Sequence, residues 1–104
     1  MMKSQNRLQC YYNRQCKQIT LSEFCDLFEN NEYRNVAKDK FGKFCVSTIW
    51  LGIDHQFCEG PPVIFETLVF DDSGDVLYKE RHSTEEEAKH RHVMVCRSYN
   101  IEES

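Results

Sequence analysis

Two apolar runs dominate the middle of the chain, both within the stretch Val46–Phe70, VSTIWLGIDHQFCEGPPVIFETLVF. They are rich in β-branched and aromatic residues, and Gly60, Pro61 and Pro62 prevent a continuous hydrogen-bonded ladder between them, which predicts strand, loop, strand. Val46, Thr48 and Trp50 fall on one face of the first run, with Cys45, Ser47, Ile49 and Leu51 on the other. Apolar residues on both faces predict central strands. Shorter extended segments are expected at Tyr33–Val36 and, past a turn over Asp71–Asp75, at Val76–Glu80, the latter as an edge strand.

A period near 3.6 appears on either side of these strands. Thr20 and Glu23 form a capping box ahead of Leu21, Phe24, Cys25 and Phe28, an apolar stripe that predicts a helix over 21–30. Ser83 with Glu86, or Thr84 with Glu87, opens a second helix over 84–98. Its first turn carries Glu85, Glu86 and Glu87, and its inner face Ala88, His92, Val95, Cys96 and Tyr99. An N-terminal hairpin over 8–19 and a sheet within 43–81 complete the layout. The expected fold is a single α+β domain spanning 1–104, with an antiparallel sheet of about four to five strands and two helices packed on one face. A patch containing Trp50 or Phe65 stays exposed as a partner or dimer surface unless the hairpin covers it; burial in an ordinary core is the simpler expectation. Monomer and homodimer both fit this pattern.

Composition sets limits on class. With 104 residues, 40% hydrophobic, the chain has the makings of one packed core, while a mean hydropathy of -0.65 keeps that core small. The N-terminal MMKSQNRLQC lacks an apolar signal region and no run reaches membrane-spanning length, so the expected location is the cytoplasm. Seventeen acidic against thirteen basic residues give a net charge of -4. The Lys and Arg are scattered along the sequence, which argues against direct nucleic-acid binding.

A reducing compartment turns the six cysteines from disulfide candidates into core thiols or metal ligands. Cys25, Cys45 and Cys96 lie on apolar faces and read as core. Cys10 and Cys16, in the hairpin, and Cys58, at the polar corner beside His55, do not. Together Cys10, Cys16, His55 and Cys58 make a candidate Cys3His site, closed and tetrahedral, in which a structural zinc clips hairpin to sheet. Free surface thiols are the alternative. His82 and His90 are expected in solvent and His92 half-buried; His90 and His92 stand about 200° apart on a helix and do not form a ligand pair.

Asp54, His55 and Glu66 supply the vocabulary of a metal-dependent hydrolase, but Glu66 is mid-strand, where a carboxylate paired with a cation is as often structural as catalytic. The phosphate-binding, nucleophile-elbow and zincin motifs are absent from the sequence.

The strings WLGIDH and GPPVIFETLVF resemble the core of a family of short phage and prophage proteins of unassigned function. The resemblance runs from Tyr11 and Ile19 through LSEFCDLFEN and Tyr33–Arg34 to STEEEA from Ser83, most of the chain. Where this chain has Cys58 the family carries glycines, so a metal site at the corner departs from its pattern. The resemblance implies a small phage accessory protein in the contest between phage and host, and it supplies no catalytic residue. The resulting expectation is a non-enzymatic, stoichiometric inhibitor of a host defence protein, an anti-CRISPR protein blocking DNA loading by an RNA-guided nuclease being the most specific form. Asp71, Asp72, Asp75, Glu85 and Glu86 would be its partner-binding residues, on two acidic turns free to lie near each other and face a basic groove, a solvated turn and a well-capped helix start being the simpler reading. A zinc-stabilised accessory protein binding another host protein, or a small metal-dependent hydrolase, are the alternatives.

Overall fold

The computed structural model describes residues 10–54 and 61–103, the side chains of 100–103 excepted. In chain order the elements are β1 (Tyr11–Tyr12), β2 (Gln18–Ile19), α1 (Leu21–Phe28), α2 (Asn31–Arg34), β3 (Asn35–Phe41), β4 (Phe44–Trp50), β5 (Phe65–Phe70), β6 (Val76–His82) and α3 (Glu85–Glu103). The fold is α+β: β3 to β6 form a four-stranded antiparallel meander in sequence order, and β1 and β2 form a separate two-stranded sheet.

The register decides what α3 can reach. Val46 pairs with Val69, Thr48 with Thr67 and Trp50 with Phe65, so these six side chains share one face. All six are fully buried. Val95 and Cys96 of α3 pack on Val46 and Val69 at one end of that face, and Ala88 joins Trp50, Phe65, Ile64 and Phe24 at the other. Burying Trp50 also requires a partner for its indole N–H, which donates to the Tyr12 carbonyl at 2.9 Å. The hairpin thus covers Trp50 and Phe65, and no patch containing them is exposed.

Capping chemistry sets the helix ends. The Thr20–Glu23 capping box is present at α1. At α3, Thr84 accepts from the Glu87 N–H at 3.1 Å while the Glu87 carboxylate accepts from the Ser83 N–H at 3.0 Å. Asn30 caps α2 in the same way, accepting from Glu32 and Tyr33 N–H, which turns the expected strand start at Tyr33 into a helical turn. β3 starts only at Asn35 but runs to Phe41, longer than its polar sequence NVAKDKF suggests. Its exposed lysines mark an edge strand, which needs no apolar outer face. The sheet therefore begins at 35, and α3 outlasts its expected end at 98.

Two glycines are dictated by geometry. Gly42, with positive φ, takes the first central position of the two-residue turn joining β3 and β4. Gly52 has φ +78, and a Cβ there would sit 2.6 Å from Phe24 Cε1 and 2.7 Å from Trp50 Cζ2. It lets the chain leave β4 directly over the aromatic core.

The second face of the meander carries Lys38, Ser47, Ile49, Glu66, Leu68 and Lys79. Ile49, Leu68 and Phe70 belong to neither packed cluster, and α3 occupies the opposite side. Among the described residues this face has no covering helix.

Candidate metal centre

The edge strand and the long helix meet through polar side chains beside the apolar contact of Phe41 with the α3 cluster. Asp39 pairs with Val46 across β3 and β4, which directs it toward the α3 side of the sheet. His92 and Cys96 are four positions apart on α3 and so occupy one helical face. The three converge: His92 Nε2 lies 2.8 Å from Asp39 Oδ2, Cys96 Sγ lies 3.8 Å from the same oxygen, and all three ligand atoms fall within 4.8 Å of one another. His92 and Cys96 are buried, whereas the Asp39 side chain is 53% exposed. The group opens into a cleft of about 230 Å³ lined also by Phe41, Val93 and Arg97. Carboxylate, imidazole and thiol at this spacing are close enough to hold a divalent metal ion. Burial, reinforced by the neighbouring Asp39 carboxylate, pushes the Cys96 thiol up to about 11, so without a metal it keeps its proton and donates to Asp39.

Behind His92 a hydrogen-bonded chain crosses the sheet. His92 Nδ1 is 2.7 Å from Thr48 Oγ1, Thr48 Oγ1 is 2.7 Å from Thr67 Oγ1, and Thr67 Oγ1 is 2.9 Å from His82 Nε2. Its direction follows from the ends. A carboxylate only accepts, so His92 Nε2 carries the hydrogen given to Asp39, and in the neutral ring Nδ1 must accept. Thr48 then donates to His92, Thr67 to Thr48, and His82 Nε2–H to Thr67. Every buried group in the row is satisfied, the condition under which a polar core specifies a structure. Desolvation lowers the pKa of His82, favouring the neutral ring this arrangement needs, against the pull of Glu80, whose carboxylate is 3.8 Å away. Glu80 is itself held down by hydrogen bonds from Arg91 at 2.8 and 3.0 Å.

The candidate residues read from the sequence lie elsewhere. His55 and Cys58 fall outside the described residues. Cys16 is half-buried, and its thiol donates to the Ser83 carbonyl at 3.3 Å; burial raises its pKa. Cys10 is half-buried at the start of the hairpin. Asp54 accepts from the Val63 N–H at 2.8 Å and so braces the corner. Glu66 is buried and takes an ion pair from Arg81 at 3.0 Å, the structural role open to a mid-strand carboxylate. His82, expected in solvent, is 3% exposed, because it faces Phe65 across the sheet on the α3 side. Cys25, expected in the core, is exposed on α1, where Phe24 alone is buried.

The acidic partner-binding residues are separated. Asp71, Asp72 and Asp75 occupy the β5–β6 turn, Glu85 and Glu86 the start of α3, with the seven residues of β6 between them, roughly 23 Å of extended chain. The Asp71 carboxylate accepts from Ser73 and Asp75 N–H within its own turn. Glu85 is bidentate with Arg14, at 2.9 and 2.6 Å, and also pairs with Lys89. Its contribution is therefore to tie the hairpin to α3.

The spacing of His92 and Cys96 is visible in the sequence as an i, i+4 pair. Asp39 is not, because its place beside them depends on the β3–β4 register. Comparison with known proteins returns no match to a family model, to a curated protein or to a solved structure.

Proposed function

We propose that the chain is a binding protein, a phage-encoded stoichiometric inhibitor of a host defence system in the host cytoplasm, with an RNA-guided CRISPR nuclease as the first candidate partner. The observation that supports it is the second face of β3 to β6, which no helix covers among the described residues. Half-exposed Ile49, Leu68 and Phe70 form its centre, and Val76, opposite Phe70, is 57% exposed. Lys38 and Lys40 on one edge strand and Lys79 and Arg81 on the other flank this centre. Apolar centre and charged rim is the anatomy of a protein-binding surface. On a chain of net charge -4 the gathering of Lys38, Lys40 and Lys79 here, with Arg81 paired to Glu66, favours an acidic rim on the partner, while the Asp71, Asp72 and Asp75 turn offers a basic groove a separate corner. Titrating the chain into a nuclease cleavage assay tests this reading. Activity should fall linearly to zero near one equivalent, and Lys38→Glu with Lys79→Glu should shift the titration to large excess. Unchanged cleavage at large excess of the wild-type chain, across candidate nucleases, removes the proposal.

A second reading, a metal-stabilised phage accessory protein with another host protein as partner, is favoured by the grouping of Asp39, His92 and Cys96. In it a structural zinc joins edge strand β3 to α3 beside the apolar cluster of Val46, Val69 and Val95. The two readings are compatible, since the metal would sit on the α3 side and leave the open face free.

A further inference from the structure

The geometry points to a three-ligand metal centre of the open kind: Asp39, His92 and Cys96 hold zinc, and its fourth position faces the cleft beside Arg97 and takes a small anion or a carboxylate. This inference rests on the reading of the cluster as a metal site and goes beyond it, because a purely structural zinc is closed by four protein ligands.

Three observations carry it. The first is donor chemistry. Thiolate and imidazole suit zinc over magnesium or calcium, and a single carboxylate completes a neutral set for a divalent ion. A tetrahedral zinc separates N from O by about 3.3 Å and S from either by about 3.5 Å, from the usual ligand distances. The present N–O and S–O spacings of 2.8 and 3.8 Å bracket these, and N and S lie within 4.8 Å, so loading needs movements on the order of 1 Å. Zinc replaces the hydrogens now shared with Asp39: the Cys96 S–H proton leaves to solvent, and the His92 ring changes tautomer, its Nε2 proton being exchanged through solvent for one on Nδ1, which frees the Nε2 lone pair for the metal.

The second is the row of buried groups behind His92. Metal-bound histidines commonly donate their other ring N–H to a fixed acceptor, which sets ring orientation. Here, with Nε2 on zinc, Nδ1–H donates to Thr48, Thr48 to Thr67, and Thr67 to the Nε2 lone pair of His82 in its other neutral tautomer. The three bonds linking His92, Thr48, Thr67 and His82 can be made in this direction as well as in the metal-free one, because both threonine hydroxyls can turn. No side chain has to leave the core.

The third is access. The Asp39 side chain is more than half exposed, and the cleft at the site is lined by Phe41, Val93 and the cationic Arg97, with no described Cys, His, Asp or Glu placed to close the shell. A metal there meets solvent on its fourth side, and Arg97 favours an anion at that position.

Cobalt substitution separates the two levels of the argument. Co(II) is added to the Cys10→Ser/Cys16→Ser/Cys58→Ser chain, which retains the proposed ligands, and to the wild-type chain should the triple variant not fold. One equivalent should produce a thiolate-to-cobalt charge-transfer band and the intense visible bands of a four-coordinate ion. Cys96→Ser should abolish the charge-transfer band, Asp39→Asn, at an exposed position, should weaken binding, and Thr48→Val should lower affinity about 10- to 100-fold. Azide should then shift the visible bands. A folded chain with no cobalt–thiolate band, or a band that survives Cys96→Ser, overturns the metal centre itself. Cobalt bands indifferent to azide and acetate at saturation overturn the open position alone and leave a closed structural site.

Discussion

Replacing Thr48 and Thr67 by valine, singly and together, probes the buried row that joins sheet to helix. Valine matches threonine in shape, so the perturbation is the loss of a hydroxyl. Thr48→Val leaves His92 Nδ1 and the Thr67 O–H without partners, and Thr67→Val leaves His82 Nε2–H without an acceptor and Thr48 Oγ1 without its donor, while Thr48 still donates to His92. The double variant again orphans two groups, the ring nitrogens of His82 and His92. Each buried unsatisfied group costs about 1–3 kcal/mol. All three variants should therefore lose a similar amount, about 3–4 kcal/mol. The coupling energy, the double loss minus both single losses, is then about -3 kcal/mol, near the upper limit for contacting residues. Urea unfolding followed by the fluorescence of Trp50, the single tryptophan and fully buried, reports the midpoints. They should fall with little change of slope, corresponding to more than about 12 °C in Tm for a domain of this size. Additive losses, or single variants costing under about 1 kcal/mol, would refute the reasoning, since they would mean that the four groups do not act as one row.

Gly52→Ala should destabilise by about 3 kcal/mol or more in the same assay, combining left-handed strain of about 1–2 kcal/mol with displacement of the Phe24 and Trp50 rings; a neutral variant would contradict the close approach. The Arg14 guanidinium holds Glu85 at about 2, well below 4.5. A depressed carboxyl contributes stability above its unfolded pKa and loses it as pH falls toward the folded value. The chain should therefore weaken between about pH 4.5 and 2, by at most roughly 3 kcal/mol from this pair, and Arg14→Met should flatten that part of the profile. Identical acid profiles for the two chains would remove the clamp. Reversing charge at Lys38 and Lys79 should abolish partner binding while leaving the urea midpoint within about 0.5 kcal/mol, because both are exposed; retained binding would move the interface off the open face.

Much of the fold is written in local signals. The two central strands follow from β-branched runs, α1 from its capping box and apolar stripe, and the β5–β6 turn from Asp71 and Gly74. The edge strand is harder, since NVAKDKF has no clean alternation and three consecutive charged residues, and it is held by pairing with β4 rather than by propensity. Errors at single residues share one cause. Cys25 and His82 are placed by which neighbour covers them: Cys25 on α1 is exposed among the described residues, while α3 and Phe65 enclose His82. The candidate centre is legible by half, in the helical spacing of His92 and Cys96, and hidden by half, in Asp39. A hydrogen-bond row through Thr48 and Thr67 depends on a register that no short motif encodes.

The most direct test is the zinc content of the chain after expression, purification without added metal and dialysis against trace zinc, set beside His92→Gln and Cys96→Ser. The account predicts close to one zinc per chain, lost in both variants and retained in Cys10→Ser/Cys16→Ser/Cys58→Ser. A ratio near zero in the folded wild-type chain, or zinc that persists in His92→Gln and disappears with Cys10, Cys16 and Cys58, would contradict it.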